Sequence, residues 1–149
     1  MAKDIVKELN DLIQLDIDAI HAYDQAIEAC EHPMVKSRLT EFRSDHVQHV
    51  QDLGAHVRSL GGTPEESRDF KGWLIEGFTA IMAQGDRSAL VAMKGNEQLT
   101  NNRYEAALQI PEFTAEIRST IEKNRRDEAR HLQWINEALD LKLWERKAA

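Results

Sequence analysis

Six side chains that can bind metal ions recur at matching places along this chain. Two segments carry one acid each, Asp16 and Glu97. The other two carry a histidine three residues after another ionisable side chain: His49 after His46, and His131 after Glu128. Carboxylates and imidazoles together suit iron, manganese or zinc. Without a cation, burying several such groups in one layer would be costly. The sequence therefore predicts a metal site formed by Asp16, His46, His49, Glu97, Glu128 and His131.

Each of these side chains interrupts a stripe of apolar residues. In the first segment, Asp16 follows Leu9 and Leu12 and precedes Ile20. Steps of three and four residues return to one side of a helix, so we expect the six groups on core-facing sides. A lone buried histidine is usually a packing residue, so the metal interpretation depends on the coincidence across all four segments.

A buried salt-bridge network is the alternative interpretation of this polar layer. Arg43, Arg125 and Arg130 are available to pair with core acids. Asp18 and Asp24 are expected on solvent-facing sides of their helix. Three other histidines have no partner ligand at helical spacing and are expected in solvated or capping positions: His21, His32 and His56.

The two halves of the chain resemble each other. Residues 43–51 match residues 125–133, with the arginine, aspartate, second histidine and glutamine coinciding. In the other helix of each half, a tyrosine follows the acid by seven residues: Tyr23 after Asp16, and Tyr104 after Glu97. Two such hairpins related by a pseudo-twofold axis would place two metal ions side by side. The tyrosines are expected either to support the ligands with hydrogen bonds or to pack in the core with locally satisfied hydroxyls.

Glycine and proline are few, and they define the helices that must position these groups. Pro33 suits a first helical turn, the Gly61-Gly62 pair stops a helix, and Asp86 is placed to cap the next one. No alternating strand pattern competes, so the predicted fold class is all-α. Four long helices are predicted near residues 3–31, 34–60, 87–109 and 112–145.

A long connection, residues 61–86, joins two predicted antiparallel hairpins, 3–60 and 87–145. It can travel the length of the bundle, about 40 Å for such helices. Its apolar spacing predicts a short amphipathic helix on the bundle, formed around Trp73, Leu74, Phe78 and Ile81. A membrane-surface helix is the alternative, but no face rich in lysine or arginine supports it. One long crossover between two hairpins is the ferritin-like arrangement of a four-helix bundle.

Composition limits the class of protein. The 149 residues fit one domain, 1–149, and 42% hydrophobic with 30% charged residues is typical of a globular chain. A net charge of −7, with no basic cluster, argues against nucleic acid as a partner. The longest mainly apolar segment, 72–83, is too short to span a membrane. With Cys30 alone, and no signal-peptide stretch at the start, we expect a cytoplasmic protein.

The chain resembles the ferritin-like superfamily. Residues 128–131 form a Glu-x-x-His motif preceded by an acid, as in rubrerythrins. Residues 15–23 are similar to the first-helix segment of bacterioferritins, with Asp16 in the glutamate's place. The closest resemblance is to a bacterial ferritin-like domain family of unknown function. It is carried by residues 9–16, 60–64 and 95–97.

This resemblance implies a di-iron or related di-metal site. By carry-over, Asp16 and Glu97 would be terminal ligands and Glu128 would bridge. His49 and His131 would each bind one metal. Iron is favoured by the resemblance, and manganese or zinc also suits these ligands.

His46 departs from the family pattern, because it stands where the second bridging glutamate is expected. A neutral imidazole binds one metal through one nitrogen and cannot bridge as a carboxylate does. A single metal, an asymmetric pair or zinc occupation therefore stand beside symmetric di-iron chemistry.

Two functions remain open at this point. One is iron handling or redox chemistry with oxygen or peroxide, of the ferroxidase or peroxidase type and related to stress, in a chain that forms homo-oligomers. The other is a non-enzymatic helical stress or interaction module with a structural or vestigial metal site. In the interaction case, a partner would contact exposed tryptophans, Trp73, Trp134 or Trp144.

Overall fold

Four long helices pack into a bundle in the computed structural model, which describes residues 4–66 and 84–147. They are α1, Ile5–Ala29; α2, Pro33–Ser59; α3, Asp86–Ala107; and α4, Ala115–Leu141, which is followed by a short 3₁₀ helix, Leu143–Glu145. Helix α1 packs against α2 and α3, and α4 packs against α3 and α2. No strand occurs in the described ranges. The predicted all-α four-helix bundle is confirmed, and most helix ends lie within three residues of the predicted ones.

Side chains cap the starts of three helices. Asp4 accepts a hydrogen bond from the backbone of Lys7 at 3.1 Å, and Thr114 accepts one from Ile117 at 3.2 Å. His32 uses ring Nδ1 to accept from Met34 N at 3.1 Å, directly before the proline that begins α2. The capping role predicted for His32 is confirmed.

Asp86 does not cap α3, so that prediction was wrong. The N-cap residue is Gly85, whose φ of 116° suits a glycine, and Asp86 is the first residue of the helix. Its carboxylate instead accepts hydrogen bonds from the backbone N–H groups of Glu31 and His32, each at 3.1 Å. Asp86 therefore ties the start of α3 to the α1–α2 turn.

The end of α2 has the predicted glycine stop. The helix ends at Ser59, and Gly61 takes a left-handed conformation with φ of 81°. The short helix predicted around Trp73, with most of the predicted crossover, lies outside the described residues. No helix in the described part of the chain is long and apolar enough to cross a membrane.

The bundle core is apolar at both ends and polar in the middle. Leu9, Leu39, Leu90 and Ile121 are among its fully buried side chains. Two of the tryptophans considered as partner contacts, Trp134 and Trp144, are partly buried and pack against this core.

The two aspartates predicted on solvent-facing sides of α1 differ in the structure. Asp24 lies at the surface, where Oδ1 accepts a hydrogen bond from Arg43 Nε at 2.6 Å. Asp18 is only 2% exposed, so its predicted exposure was wrong. Its Oδ1 accepts a hydrogen bond from Gln14 Nε2 at 3.0 Å, one turn earlier on the same helix.

Candidate metal centre

All six predicted ligands meet in the polar middle of the bundle. Each is at most 1% exposed, and together they come from all four long helices. They form two overlapping groups, in each of which the ligand atoms lie within 4.8 Å of one another. The first group is Asp16, His46, His49 and Glu128. The second group is His46, Glu97, Glu128 and His131.

The first group contains one carboxylate oxygen, Glu128 Oε1, that has no hydrogen-bond partner. Asp16 Oδ1 lies 2.7 Å from His46 Nδ1 and 3.0 Å from His49 Nδ1. Glu128 Oε1 lies 3.4 Å and 3.3 Å from the same two nitrogens, without hydrogen-bond geometry. A buried carboxylate oxygen without a hydrogen bond is costly, which makes this position suitable for a cation.

The second group is linked by a hydroxyl. Glu97 Oε1 lies 3.1 Å from His46 Nε2 and 3.3 Å from His131 Nδ1. The Thr100 hydroxyl lies 3.1 Å from Glu97 Oε2 and also 3.1 Å from Glu128 Oε2. The same hydroxyl also lies 3.0 Å from the backbone carbonyl oxygen of Glu97. Because one hydroxyl carries one hydrogen, Thr100 donates to one of these three acceptors at a time.

The two tyrosines bind the site carboxylates crosswise. Tyr23 on α1 donates to Glu97 Oε1 on α3 at 2.5 Å, and Tyr104 on α3 donates to Asp16 Oδ2 on α1. Both rings are fully buried. Their hydroxyls therefore contact the predicted ligands of the opposite hairpin, as the repeat allowed.

Two aspartates outside the predicted ligand set bond the Nε2 atoms of His49 and His131, which point away from the centre of the site. His49 Nε2 lies 2.9 Å from Asp127 Oδ2, and His131 Nε2 lies 2.8 Å from Asp45 Oδ2. Each Nδ1 also lies within hydrogen-bond distance of a carboxylate, Asp16 for His49 and Glu97 for His131, so both ring nitrogens carry hydrogen without a metal. If Nδ1 binds a cation, the remaining hydrogen stays on Nε2 and is donated to the outer aspartate. The signal that could have identified both aspartates is their coincidence in the internal repeat.

Asn101 is a further residue that the sequence did not single out. Its side-chain nitrogen donates to the backbone carbonyls of Glu97 at 2.7 Å and Glu128 at 3.0 Å. Asn101 therefore links the backbone of α3 to that of α4 beside Glu97 and Glu128.

The imidazoles bind protons tightly in the metal-free arrangement. Burial disfavours their charged form, but nearby carboxylates outweigh it, chiefly Asp16 for His49 and Glu97 for His131. The pKa of His49 is raised to about 12, and that of His131 to about 10. The pKa of His46 is also raised well above its usual value. A metal ion would therefore have to compete with protons for these rings.

The carboxylates differ among themselves. Burial, together with the charge of Glu97, raises the pKa of Glu128. Burial also opposes ionisation of Glu97 and Asp16, but the histidines prevail, so the pKa of each is lowered. Glu128 is thus the member of the layer whose charge is least compensated.

Arginines do not neutralise this layer in the described residues. Within 4–66 and 84–147, every ion pair of the six groups is with another of the six, or with Asp45 or Asp127. The three arginines considered as partners pair elsewhere: Arg43 with Asp24, Arg125 with Glu122, and Arg130 with Asp45. The alternative of arginines pairing with the core acids therefore does not hold for these groups, although imidazole–carboxylate pairs are present.

The donor set fits a transition-metal cation. It combines three carboxylates with three imidazoles, which is the ligand chemistry of iron, manganese and zinc. Two buried oxygen atoms on the first group's side have no hydrogen-bond partner, Glu128 Oε1 and Asn124 Oδ1. Asn124 is joined to that side because its Nδ2 donates to the Tyr104 hydroxyl at 3.3 Å.

Comparison with known protein families gives a match over residues 4–110 to a family described as Domain of unknown function (DUF2383). The chain belongs to the DUF2383 family. The predicted resemblance to a ferritin-like family of unknown function is thereby confirmed. No curated protein matches this DUF2383 sequence.

Solved structures show that the fold of this chain is ferritin-like. A dodecameric thioferritin, the bacterioferritin-related protein from Bacteroides fragilis, matches with a TM-score of 0.80 at 18% identity, over 97% of this chain and 92% of that one. A two-domain protein from Anabaena variabilis, with DJ-1/ThiJ/PfpI-like and ferritin-like domains, matches with a TM-score of 0.77 at 15% identity. That match covers 97% of this chain and 38% of the other.

Proposed function

We propose that this DUF2383 protein binds iron in the buried layer and takes part in its redox handling with oxygen or peroxide. The observation that carries the proposal is Glu128 Oε1, which is buried beside two imidazole nitrogens without a hydrogen bond to either and with no arginine or lysine paired to it in the described residues. The likeness to a bacterioferritin-related thioferritin supports the choice of iron over manganese or zinc.

Each residue has a role in this proposal. Asp16 and Glu97 are terminal carboxylate ligands, His49 and His131 bind through Nδ1, and Glu128 lies between the two groups. A bound iron ion supplies one-electron exchange with oxygen or peroxide. The protein supplies fixed donors and exclusion of bulk water, since every one of these side chains is buried.

The net reaction balances with peroxide as oxidant. Two ferrous ions each lose one electron, the O–O bond of hydrogen peroxide breaks, and two protons are consumed as two water molecules form. The Asp45 and Asp127 carboxylates, which are partly exposed and bonded to His131 and His49, connect the layer to solvent for proton exchange.

A non-enzymatic module with a structural or vestigial site is the second candidate. It is favoured by the raised pKa values of the histidines, because protonated imidazoles neutralise the carboxylates without a metal. In that case the layer would be a set of buried ion pairs. Such pairs would fix how the four helices align and would add little to the free energy of folding.

Assembly and location belong to the same proposal. The thioferritin it resembles is a dodecamer, and we propose that this chain also forms a homo-oligomer. We place it in the cytoplasm because its only cysteine, Cys30, is a buried free thiol.

Metal analysis of protein purified without chelators tests the proposal, followed by oxygen and peroxide consumption on adding ferrous iron. We expect bound iron, and consumption that disappears in His49→Ala. His56→Ala is the matched control on the same helix, because its ring bonds Thr120 away from the site. Iron binding without consumption would favour the second candidate, and equal iron content in wild type and His49→Ala would contradict the site.

A further inference from the structure

We propose that the first group is the primary cation position and that the second group is closed by the protein's own hydrogen bonds. This inference rests on the proposed function, and it replaces two equivalent sites with an unequal pair. The claim concerns Asp16, His46, His49 and Glu128 on one side, and Glu97 and His131 on the other.

Donor spacing in the first group fits a small four-coordinate cation. Tetrahedral coordination with bonds of about 2.0–2.1 Å places neighbouring donors about 3.4 Å apart. Glu128 Oε1 lies 3.4 Å from His46 Nδ1 and 3.3 Å from His49 Nδ1. Asp16 Oδ1 lies closer to the two nitrogens, at 2.7 and 3.0 Å, so it would move by a few tenths of an ångström.

Two buried oxygen atoms without a hydrogen-bond partner, Glu128 Oε1 and Asn124 Oδ1, lie on the first group's side. Glu128 Oε1 faces that group without a hydrogen-bond partner. Its other oxygen, Oε2, faces the second group and lies within hydrogen-bond distance of the Thr100 hydroxyl. Glu97 Oε1 accepts a hydrogen bond from Tyr23, and Glu97 Oε2 shares the Thr100 hydroxyl with Glu128. A cation in the second group would have to displace or compete with these donors.

The sequence itself encodes this inequality. Thr100 follows Glu97 by three residues, and the residue that follows Asp16 by three is Ala19. Ala19 is buried but has no hydroxyl to donate, so the first group lacks the equivalent of Thr100. The repeat therefore breaks its symmetry at the residue that satisfies the second group.

A second break in the repeat points the same way. Four residues before His46 stands Phe42, whose ring stacks on His131 with centroids 4.2 Å apart. Four residues before Glu128 stands Asn124, whose Oδ1 is buried and unpaired. The second group is thus covered by an apolar ring, and the first group is flanked by a polar side chain.

His46 links the two groups in a way that favours one cation. Its Nδ1 faces the first group and its Nε2 faces Glu97 Oε1 at 3.1 Å. When Nδ1 binds a cation, the neutral ring keeps its hydrogen on Nε2 and donates it to Glu97. Occupation of the first group therefore leaves this donor to Glu97 in place, and His46 cannot also offer Nε2 to a second cation.

Cobalt(II) and zinc titrations of the full-length protein near neutral pH test this inference. Isothermal calorimetry should give one tight cation per chain, with any second cation binding at least about 10-fold more weakly. The visible spectrum of the cobalt protein should show the intense bands of four-coordinate cobalt. Two equally tight cations per chain would overturn the inference, while no binding of cobalt, zinc or iron would overturn the proposed function as well.

His49→Ala and His131→Ala form a matched pair, because they are equivalent positions of the repeat. We expect His49→Ala to lower cobalt affinity by more than about 100-fold, since a lost ligand costs more than a lost outer partner. His131→Ala should change it by less than about 3-fold. Equal losses, or the reverse order, would overturn the inference.

Thr100→Ala keeps the test decisive if a histidine variant does not fold. Removing the hydroxyl makes the second group resemble the first, so this variant should bind a second cobalt ion more tightly than wild type. Unchanged binding of the second ion would overturn the closing role of Thr100. Circular dichroism and thermal melting establish that each variant retains its helices.

Discussion

His49 on α2 and Asp127 on α4 are joined by a hydrogen bond of 2.9 Å across the bundle. The pseudo-twofold equivalent joins His131 on α4 to Asp45 on α2 at 2.8 Å. Each aspartate is the neighbour of a predicted ligand on its own helix and reaches a histidine of the other hairpin. Each half of the chain therefore supplies the aspartate that bonds the Nε2 atom of the other half's histidine.

Asp127→Asn tests this outer partnership. An amide is a weaker acceptor than a carboxylate, so the His49 ring loses orientation and basicity. We expect metal affinity to fall by about 10–100-fold while the helices remain folded. Calorimetric titration with zinc measures the change, and Asp140→Asn, an exposed position on the same helix, is the control. An affinity equal to that of the control would show that Asp127 does not support a ligand.

Proton release should accompany metal binding. The pKa values of about 12 for His49 and about 10 for His131 mean that both rings are protonated near neutral pH before metal binds. Binding through Nδ1 displaces a proton, so apparent affinity should rise with pH, by up to about 10-fold per pH unit for each proton released. Calorimetry in buffers of different ionisation enthalpy counts the protons. Binding without proton release would mean that these rings are not ligands.

Stability of the metal-free protein should fall as pH rises. The pKa of His131 is about 10 in the folded chain against an ordinary histidine value of 6.5, so its stabilising charge is complete below about pH 6.5 and is lost as pH rises through 10. His49 acts in the same direction, with loss extending towards 12. Thermal melting in the presence of a chelator should therefore give a lower Tm at alkaline than at neutral pH.

His131→Gln separates this effect from the general repulsion of a chain with net charge −7. The glutamine cannot titrate, so its alkaline loss of Tm should be shallower than that of wild type. Identical slopes for the two proteins would contradict the assignment of the effect to the histidine.

The sequence predicted the helical bundle more fully than the polar site at its centre. The apolar spacing predicted four helices, because side chains such as Leu9 and Leu39 must face a core wherever the helices pack. The same spacing predicted that Asp16 faces inward. It could not place Asp45, because a position about 100° from the core axis is inside or outside depending on how closely the next helix approaches.

Other misses also came from contacts distant in sequence. Asp86 has the local pattern of a helix cap, but the backbone of Glu31 and His32, far away in the chain, takes its carboxylate. Asp18 was expected in solvent, yet it is buried in the folded chain. Thr100 gave no signal of its own, because its importance depends on two glutamates from different helices meeting beside it.

Tyr104→Phe tests the crosswise tyrosines. It removes the donor to Asp16 Oδ2 and an acceptor for Asn124, while keeping the buried ring. A hydrogen bond to a charged group contributes about 1.5–3 kcal/mol, so we expect the free energy of unfolding to fall by about that amount. Urea denaturation of the metal-free protein measures it, and Tyr23→Phe should give a similar loss. A loss below about 0.5 kcal/mol would show that the bond contributes little.

The central claim is that a cation occupies the buried layer, and anomalous scattering from crystals of iron-loaded protein tests it most directly. Data collected on both sides of the iron absorption edge should give a strong anomalous peak between Asp16, His49 and Glu128. A structure of the iron-soaked protein with no peak in this layer, and with the carboxylates still paired to the imidazoles, would contradict it.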